Sequence, residues 1–185
     1  MSRVEPNGHS PSLASPRGGA GVEATTKPAS RLSLSLAHLL VVGGSADERL
    51  RVAKLVHDES ALRLGPFVSL DCASEEPKLR EALSDWLQIA GSAPAAHPLW
   101  SAERGTLYLD SIGRLSQETQ VQLLAFASRD LSASSRDHRG AARLMVGNDE
   151  DPWDLVAQGR FLPQLADVLD KIRVDLHARR RGGTA

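Results

Sequence analysis

Residues 39–50, Leu39-Leu40-Val41-Val42-Gly43-Gly44-Ser45-Ala46-Asp47-Glu48-Arg49-Leu50, constrain this chain more than any other stretch. An apolar run, a glycine pair and a polar helix start predict a buried strand that turns sharply into a helix. A loop that grips phosphates uses the same layout. It reads G-x-x-x-x-G-K-[ST]: the glycines let backbone amides close on phosphates, and the Lys reaches the terminal phosphate. Counted from Gly43, Glu48 replaces the second glycine, Arg49 the Lys and Leu50 the hydroxyl. The layout is present and the chemistry is changed.

Ser45-Ala46-Asp47-Glu48 fits the capping box S-x-x-E, in which Ser45 and Glu48 satisfy each other's amides. Those amides are among the donors that a phosphate at a helix start would use. Asp47 and Glu48 also bring negative charge to that place. At about 5 Å and an effective dielectric of about 20, each like-charge contact costs roughly 3 kcal/mol. Arg49 offsets part of this, but its planar fork is not a point charge like Lys. Two readings stand open: a plain capped helix, and residual nucleotide binding at Gly43, Gly44, Ser45 and Arg49.

At 185 residues the chain has room for one domain and a tail. A formal charge of −1 gives no broad electrostatic footprint for nucleic acid or membrane. Cys72 is the one cysteine, which excludes an internal disulfide framework and fits a reducing cytoplasm. No secretory signal is expected at the N-terminus, and the run Leu36 to Val42 is far too short to span a bilayer. The expected location is cytoplasmic.

Residues 1–31, rich in Pro, Gly, Ser and Ala, are expected to form a disordered tail. A strand–helix alternation follows. Strands are predicted at Leu39–Val42, Phe67–Leu70, Thr106–Leu109, Leu144–Val146 and Ile172–Leu176. Helices are predicted at Glu48–His57, Glu76–Ile89, Gln117–Ser128 and Phe161–Leu169, and loops at Gly91–Pro98 and Ser132–Gly140. Short apolar strands between amphipathic helices imply an α/β fold, a doubly wound parallel sheet of about five strands covered on both faces. The domain is expected over 32–177, with a basic tail at 178–185 containing Arg179, Arg180 and Arg181.

A second motif is Gly105-Thr106-Leu107-Tyr108-Leu109-Asp110-Ser111. An apolar strand ending in Asp is how phosphate-transfer enzymes set a carboxylate beside Mg²⁺. Asp110 stands in that place. The next position is often a Glu that orients the attacking water; here it is Ser111, whose hydroxyl is no base near neutral pH. The plainer alternative is that Asp110 caps the following turn.

Together these motifs resemble the AAA+ domain of bacterial enhancer-binding activators of sigma-54 RNA polymerase. Gly43-Gly44-Ser45 through Val52-Ala53-Lys54-Leu55-Val56-His57 resembles G-E-S-G-T-G-K-E-x-V-A-R-x-I-H. Gly65-Pro66-Phe67-Val68-Ser69-Leu70-Asp71-Cys72-Ala73 is similar to P-F-V-x-x-N-C-A. Trp100-Ser101-Ala102-Glu103-Arg104-Gly105 and the Asp110 strand through Ile112 resemble F-x-x-A-x-G-G-T-L-F-L-D-E-I. Gln120-Val121-Gln122-Leu123-Leu124 is similar to Q-x-K-L-L, and Gly159-Arg160-Phe161-Leu162 to G-x-F-R. Asn148 falls where the family carries a sensor Asn.

The resemblance implies a P-loop ATPase fold and, if the site is retained, ATP with Mg²⁺ at Gly43, Gly44, Ser45, Arg49, Asp110 and Asn148. The departures imply otherwise. The two arginine fingers of the family align with Leu162 and Val168. The sigma-contacting Gly-Ala-Phe-Thr-Gly-Ala loop would fall between Leu87 and Trp100, where its motif is missing. The helical lid and the DNA-reading helix-turn-helix would follow Leu176. With several charge-stabilising groups replaced, ATP-driven remodelling is not expected.

The first expectation is therefore a pseudo-ATPase with no catalytic residue, no metal site and no cofactor. It would act in transcription control by binding a protein partner, a related AAA+ activator or a sigma factor, with no DNA-binding domain and no membrane. The second is a regulator that binds ATP weakly. The third is a receiver-like signalling domain, disfavoured because glycines replace the acidic pair after the first strand. The six histidines show no metal-ligand spacing, Cys72 is expected to be structural, and Trp86, Trp100 and Trp153 to be packing residues.

Overall fold

A computed structural model describes residues 37–88, 98–128 and 142–176. The expected tails at 1–31 and 178–185, the loop 132–140, most of 91–98, and His9, His97, His138 and His177 lie outside the described residues. Five parallel strands form one sheet in the order β2-β3-β4-β1-β5. They are β1 (Leu39–Val42), β2 (Phe67–Asp71), β3 (Thr106–Asp110), β4 (Arg143–Asn148) and β5 (Ile172–Asp175). The helices are α1 (Ala46–Asp58), α2 (Cys72–Gln88), α3 (Pro98–Ser101), α4 (Gln117–Ala127), α5 (Pro152–Ala157) and α6 (Pro163–Leu169).

This order excludes the receiver-like reading. A receiver-type sheet runs 2-1-3-4-5, with the first strand beside the second. Here β1 lies between β4 and β5, and β2 is an edge.

Every residue of β1, β3 and β4 is buried, while the edge strands β2 and β5 are half open. Central parallel strands are covered on both faces, so they read as apolar runs rather than alternations. Two cores result. Leu39, Val41, Tyr108 and Met145 face α1, which contributes Ala53 and Val56. Leu40, Val42, Leu107, Leu109, Leu144 and Val146 face the larger cluster that includes α2, α4 and α6. On α1 the buried positions are Arg49, Ala53, Val56 and His57, one helical stripe with an arginine at its leading end.

Three elements were not expected from the sequence: α3, whose Pro98 begins a helix rather than ends a loop, α5, and a 3₁₀ turn at Ile112–Arg114. All are of seven residues or fewer, too short to show a helical period. The α2 run begins one turn before the expected start, with a break in helical backbone at Glu75. The last helix starts at Pro163, not Phe161, since Pro favours the first helical position.

Candidate functional site

The loop between β1 and α1 meets the end of β3 at the carboxyl edge of the sheet, where open α/β sheets bind ligands. Gly43 and Gly44 both take positive φ, 81° and 67°, which the turn requires and which glycine adopts without strain. The Gly43 amide donates to the Asn148 carbonyl at 2.9 Å, tying the loop to β4.

Arg49 enters from the first turn of α1 and is 4% exposed. Its Nε donates to Asp110 Oδ1 and its Nη2 to Oδ2, each at 2.7 Å. Its Nη1 donates to the Gly44 carbonyl at 2.9 Å and reaches the Gly43 carbonyl at 3.4 Å. The loop therefore turns carbonyls toward a cation at this point. The Asp110 hydrogen bond raises the Arg49 pKa above its usual value, against the opposing effect of burial.

Asp110 also accepts from the Tyr108 hydroxyl at 2.7 Å on Oδ1 and from Ser111 Oγ at 3.4 Å on Oδ2. Burial, then the Asp110 bond, pushes the Tyr108 phenol well above its ordinary pKa and keeps it protonated. The carboxylate is thus spent on side chains, and the expectation that Asp110 caps the next turn is corrected: Ser111 is that cap residue, in the left-handed region at φ 57°. Although burial works the other way, the Ala73 amide, then the Ser111 and Ser74 hydroxyls, hold the Asp71 carboxyl below its usual range.

The capping box forms. The Ser45 amide donates to Glu48 Oε2 at 2.8 Å, Ser45 Oγ donates to the same oxygen at 3.0 Å, and the Glu48 amide donates to Ser45 Oγ at 3.3 Å. The Glu48 carboxylate lies against Gly44: a methyl group there would stand 3.0 Å from Oε2 and 2.8 Å from Leu176 Cδ1. The expectation that Arg49 offsets Glu48 is also corrected, because the arginine fork turns inward to Asp110. Leu50, in the hydroxyl position, is 36% exposed.

Asn148 is 1% exposed and its side chain points away from the loop. Its Oδ1 accepts from the Gly113 amide and its Nδ2 donates to the Glu150 carbonyl, both at 2.9 Å. Of the six expected site residues, the structure joins Gly43, Gly44, Arg49 and Asp110 by side-chain bonds. Ser45 turns to Glu48, and Asn148 contributes its backbone.

The chain matches the Sigma-54 interaction domain over residues 19–175. The chain belongs to that family. This sigma-54 interaction domain is 32% identical over 171 residues to the acetoin catabolism regulatory protein of Cupriavidus necator, a match covering 86% of this chain and 25% of that protein. It is 34% identical over 158 residues to the sigma54-dependent transcriptional activator SfnR of Pseudomonas putida, covering 79% and 42%. Its fold is similar to NtrX of Brucella abortus in complex with ATP, at TM-score 0.64 and 22% identity over 87% of this chain and 40% of that one. It is also similar to the P-loop NTPase domain of a sigma-54 activator from E. coli, at TM-score 0.54 and 21% identity over 75% and 95%. The chain thus spans between a quarter and less than half the length of these curated relatives.

Two residues of this sigma-54 interaction domain's site escaped the sequence reading. Tyr108 is one, although it stands two positions before Asp110 on one strand face, a period-2 signal that was legible. Leu176 is the other. It follows β5 directly, and its amide donates to the Val42 carbonyl at 2.8 Å, which seats it over the loop. Nothing in a sequence brings residue 176 to residue 44. Val168, expected from the sequence at an arginine-finger position, lines a shallow groove with Leu124, Trp153 and Pro163. Trp153 is 42% exposed rather than packed, its indole donating to Asp170 at 3.0 Å. Among the described residues no helix is long and apolar enough to cross a membrane, and no group of three or more His, Cys, Asp or Glu could hold a metal.

Proposed function

We propose that this sigma-54 interaction domain is a non-catalytic module of transcription control, a pseudo-ATPase that works by binding a protein partner. The partner is a related AAA+ activator or the sigma factor of RNA polymerase. The observation that carries the reading is the buried Arg49–Asp110 pair. Asp110 is the carboxylate that would face a magnesium ion, and a guanidinium covers both its oxygens. Glu48 stands where phosphates would meet the loop. These residues do not fit a magnesium–nucleotide complex. Phosphoryl transfer rests on positioning and charge stabilisation, and this set offers a carboxylate in place of both. The fold meanwhile persists: a packed core and a sheet similar in fold to the P-loop NTPase domain of a sigma-54 activator support a surface kept for recognition.

The experiment has two parts. Steady-state ATPase assays on the purified chain, alone and mixed with a full-length activator of the family, are expected to show no turnover from this chain. Native mass spectrometry of the same mixture, and of the chain with sigma-54, is expected to show a mixed complex. Turnover that survives Asp110→Asn in neither the chain nor the mixture, and so belongs to this chain, overturns the non-catalytic reading. A second reading, a regulator that binds ATP weakly, draws on NtrX of Brucella abortus, a protein of similar fold solved with ATP and with ADP. Nucleotide binding by calorimetry separates the two.

A further inference from the structure

We infer that this chain carries its own built-in substitute for an anionic ligand and its cation, which holds the β1–α1 loop in one closed state that added nucleotide does not change. The inference rests on the non-catalytic reading and deepens it by assigning the loop a constitutive rather than a switching role.

Two residues adjacent in sequence supply opposite charges to opposite sides of the loop. Glu48 supplies the anion. Its Oε2 takes the Ser45 amide at 2.8 Å and the Ser45 hydroxyl at 3.0 Å, and rests against Gly44. A main-chain amide and a hydroxyl converging on one carboxylate oxygen is the donor set that an incoming phosphate oxygen would otherwise take. Arg49 supplies the cation. It neutralises Asp110 through two parallel bonds and fills the carbonyls of Gly44 and Gly43. Leu176, on the same face of the sheet as α1 and held by its amide bond to the Val42 carbonyl, covers the same glycine.

The surroundings repeat the exclusion. An open depression of about 740 Å³ beside the loop is lined by Asp149, Glu150, Asp151, Asp154 and Asp175. Arg160 pairs with Glu150 and Arg173 with Asp151, which offsets part of that charge, and a polyphosphate entering here still meets an acidic lining beside a loop that already holds a carboxylate. The built-in groups are covalently attached and never dissociate, so an external ligand competes against a very high effective concentration.

The test is thermal denaturation of the full chain as wild type, Glu48→Ala, and Glu48→Gly with Arg49→Lys. Each is titrated with Mg·ATP and with sodium tripolyphosphate, against sodium chloride of equal ionic strength. Wild-type Tm is expected to stay unmoved by millimolar ligand. Glu48→Ala is expected to melt several degrees lower and to regain stability with tripolyphosphate in a saturable way that chloride does not reproduce. Hydrogen exchange at the Ser45 amide is expected to speed up in Glu48→Ala and to slow again with tripolyphosphate. A saturable rise of wild-type Tm with Mg·ATP overturns the inference. So does a Glu48→Ala protein with wild-type Tm, wild-type Ser45 exchange and no anion response. Should the double variant fail to fold, Glu48→Ala decides alone. Binding by wild type without turnover sinks this inference and leaves the non-catalytic reading standing; turnover sinks that reading itself.

Discussion

Arg49 and Asp110 meet as two flat groups edge to edge, Nε on Oδ1 and Nη2 on Oδ2, each at 2.7 Å in a site almost closed to water. The pair joins the first turn of α1 to the last residue of β3. Burying both charges costs desolvation, which only good geometry and further hydrogen bonds return. Both are present here: the loop carbonyls take Nη1, and Tyr108 completes Oδ1.

Removing one partner strands the other. Arg49→Met and Asp110→Leu, each alone, are expected to cost about 3–5 kcal/mol of folding stability. The double variant is expected to recover much of that, since no buried charge remains. Urea unfolding of the four proteins checks this; a double variant as unstable as the sum of the singles contradicts it.

Gly147 lets Tyr108 and Asp110 come together. A methyl group there would lie 2.3 Å from Asp110 Oδ1 and 2.4 Å from the Tyr108 hydroxyl. Gly147→Ala is expected to cost about 3 kcal/mol, the upper end of overpacking. Gly159→Ala is the control, with φ +70° and nothing within 4 Å. It is expected to cost about 1 kcal/mol, from backbone strain alone. Equal losses in thermal melts would show that the crowding at Gly147 is absent.

Stability is expected to fall as pH drops below about 6.5. Burial lowers the pKa of His38 and of His57 from the usual 6.5. The unfolded chain therefore takes up protons first, and stability present above 6.5 is lost as pH falls toward the folded values. Asp71 and Glu76 lose stability in the same direction in a separate window, beginning below their ordinary 3.8 and 4.5. His38→Asn and His57→Asn together are expected to flatten the upper window and leave the lower one. Urea midpoints from pH 7.5 to 3 measure both.

Cys72 is 2% exposed, and burial pushes its thiol pKa far up. Only the thiolate reacts at useful rates. In the native protein, labelling by a disulfide reagent is expected to be slow and to track opening of the fold; at denaturing urea it becomes fast. Rapid labelling of the native chain would contradict the placement of Cys72 at the start of α2.

Ser45→Ala removes the oxygen that caps the α1 amide and one donor to Glu48. The expected loss is about 1 kcal/mol. It is measured as a shift in urea midpoint, with Leu50→Ala as a surface control.

Where the chain speaks locally, its sequence was readable. The bounds of β1 match the expectation, and the other strands match within two residues at either end. Apolar runs between turn residues leave little choice of element. The capping box was legible for the same reason, since Ser45 and Glu48 are three residues apart on one turn. The short helices α3 and α5 were not, because fewer than two turns carry no period.

The site divides along the same line. Residue types alone determined that a strand, a glycine turn and a capped helix stand at the loop, and which charged groups, Glu48, Arg49 and Asp110, the chain brings there. Only the tertiary structure decided where those charges go. Arg49 turns inward to Asp110, 61 positions away, rather than outward to Glu48 beside it. Sequence specifies which groups exist and which neighbours share a turn. The partner of a long, flexible cation is chosen by the packed sheet, which brings a buried carboxylate within reach where water cannot serve it.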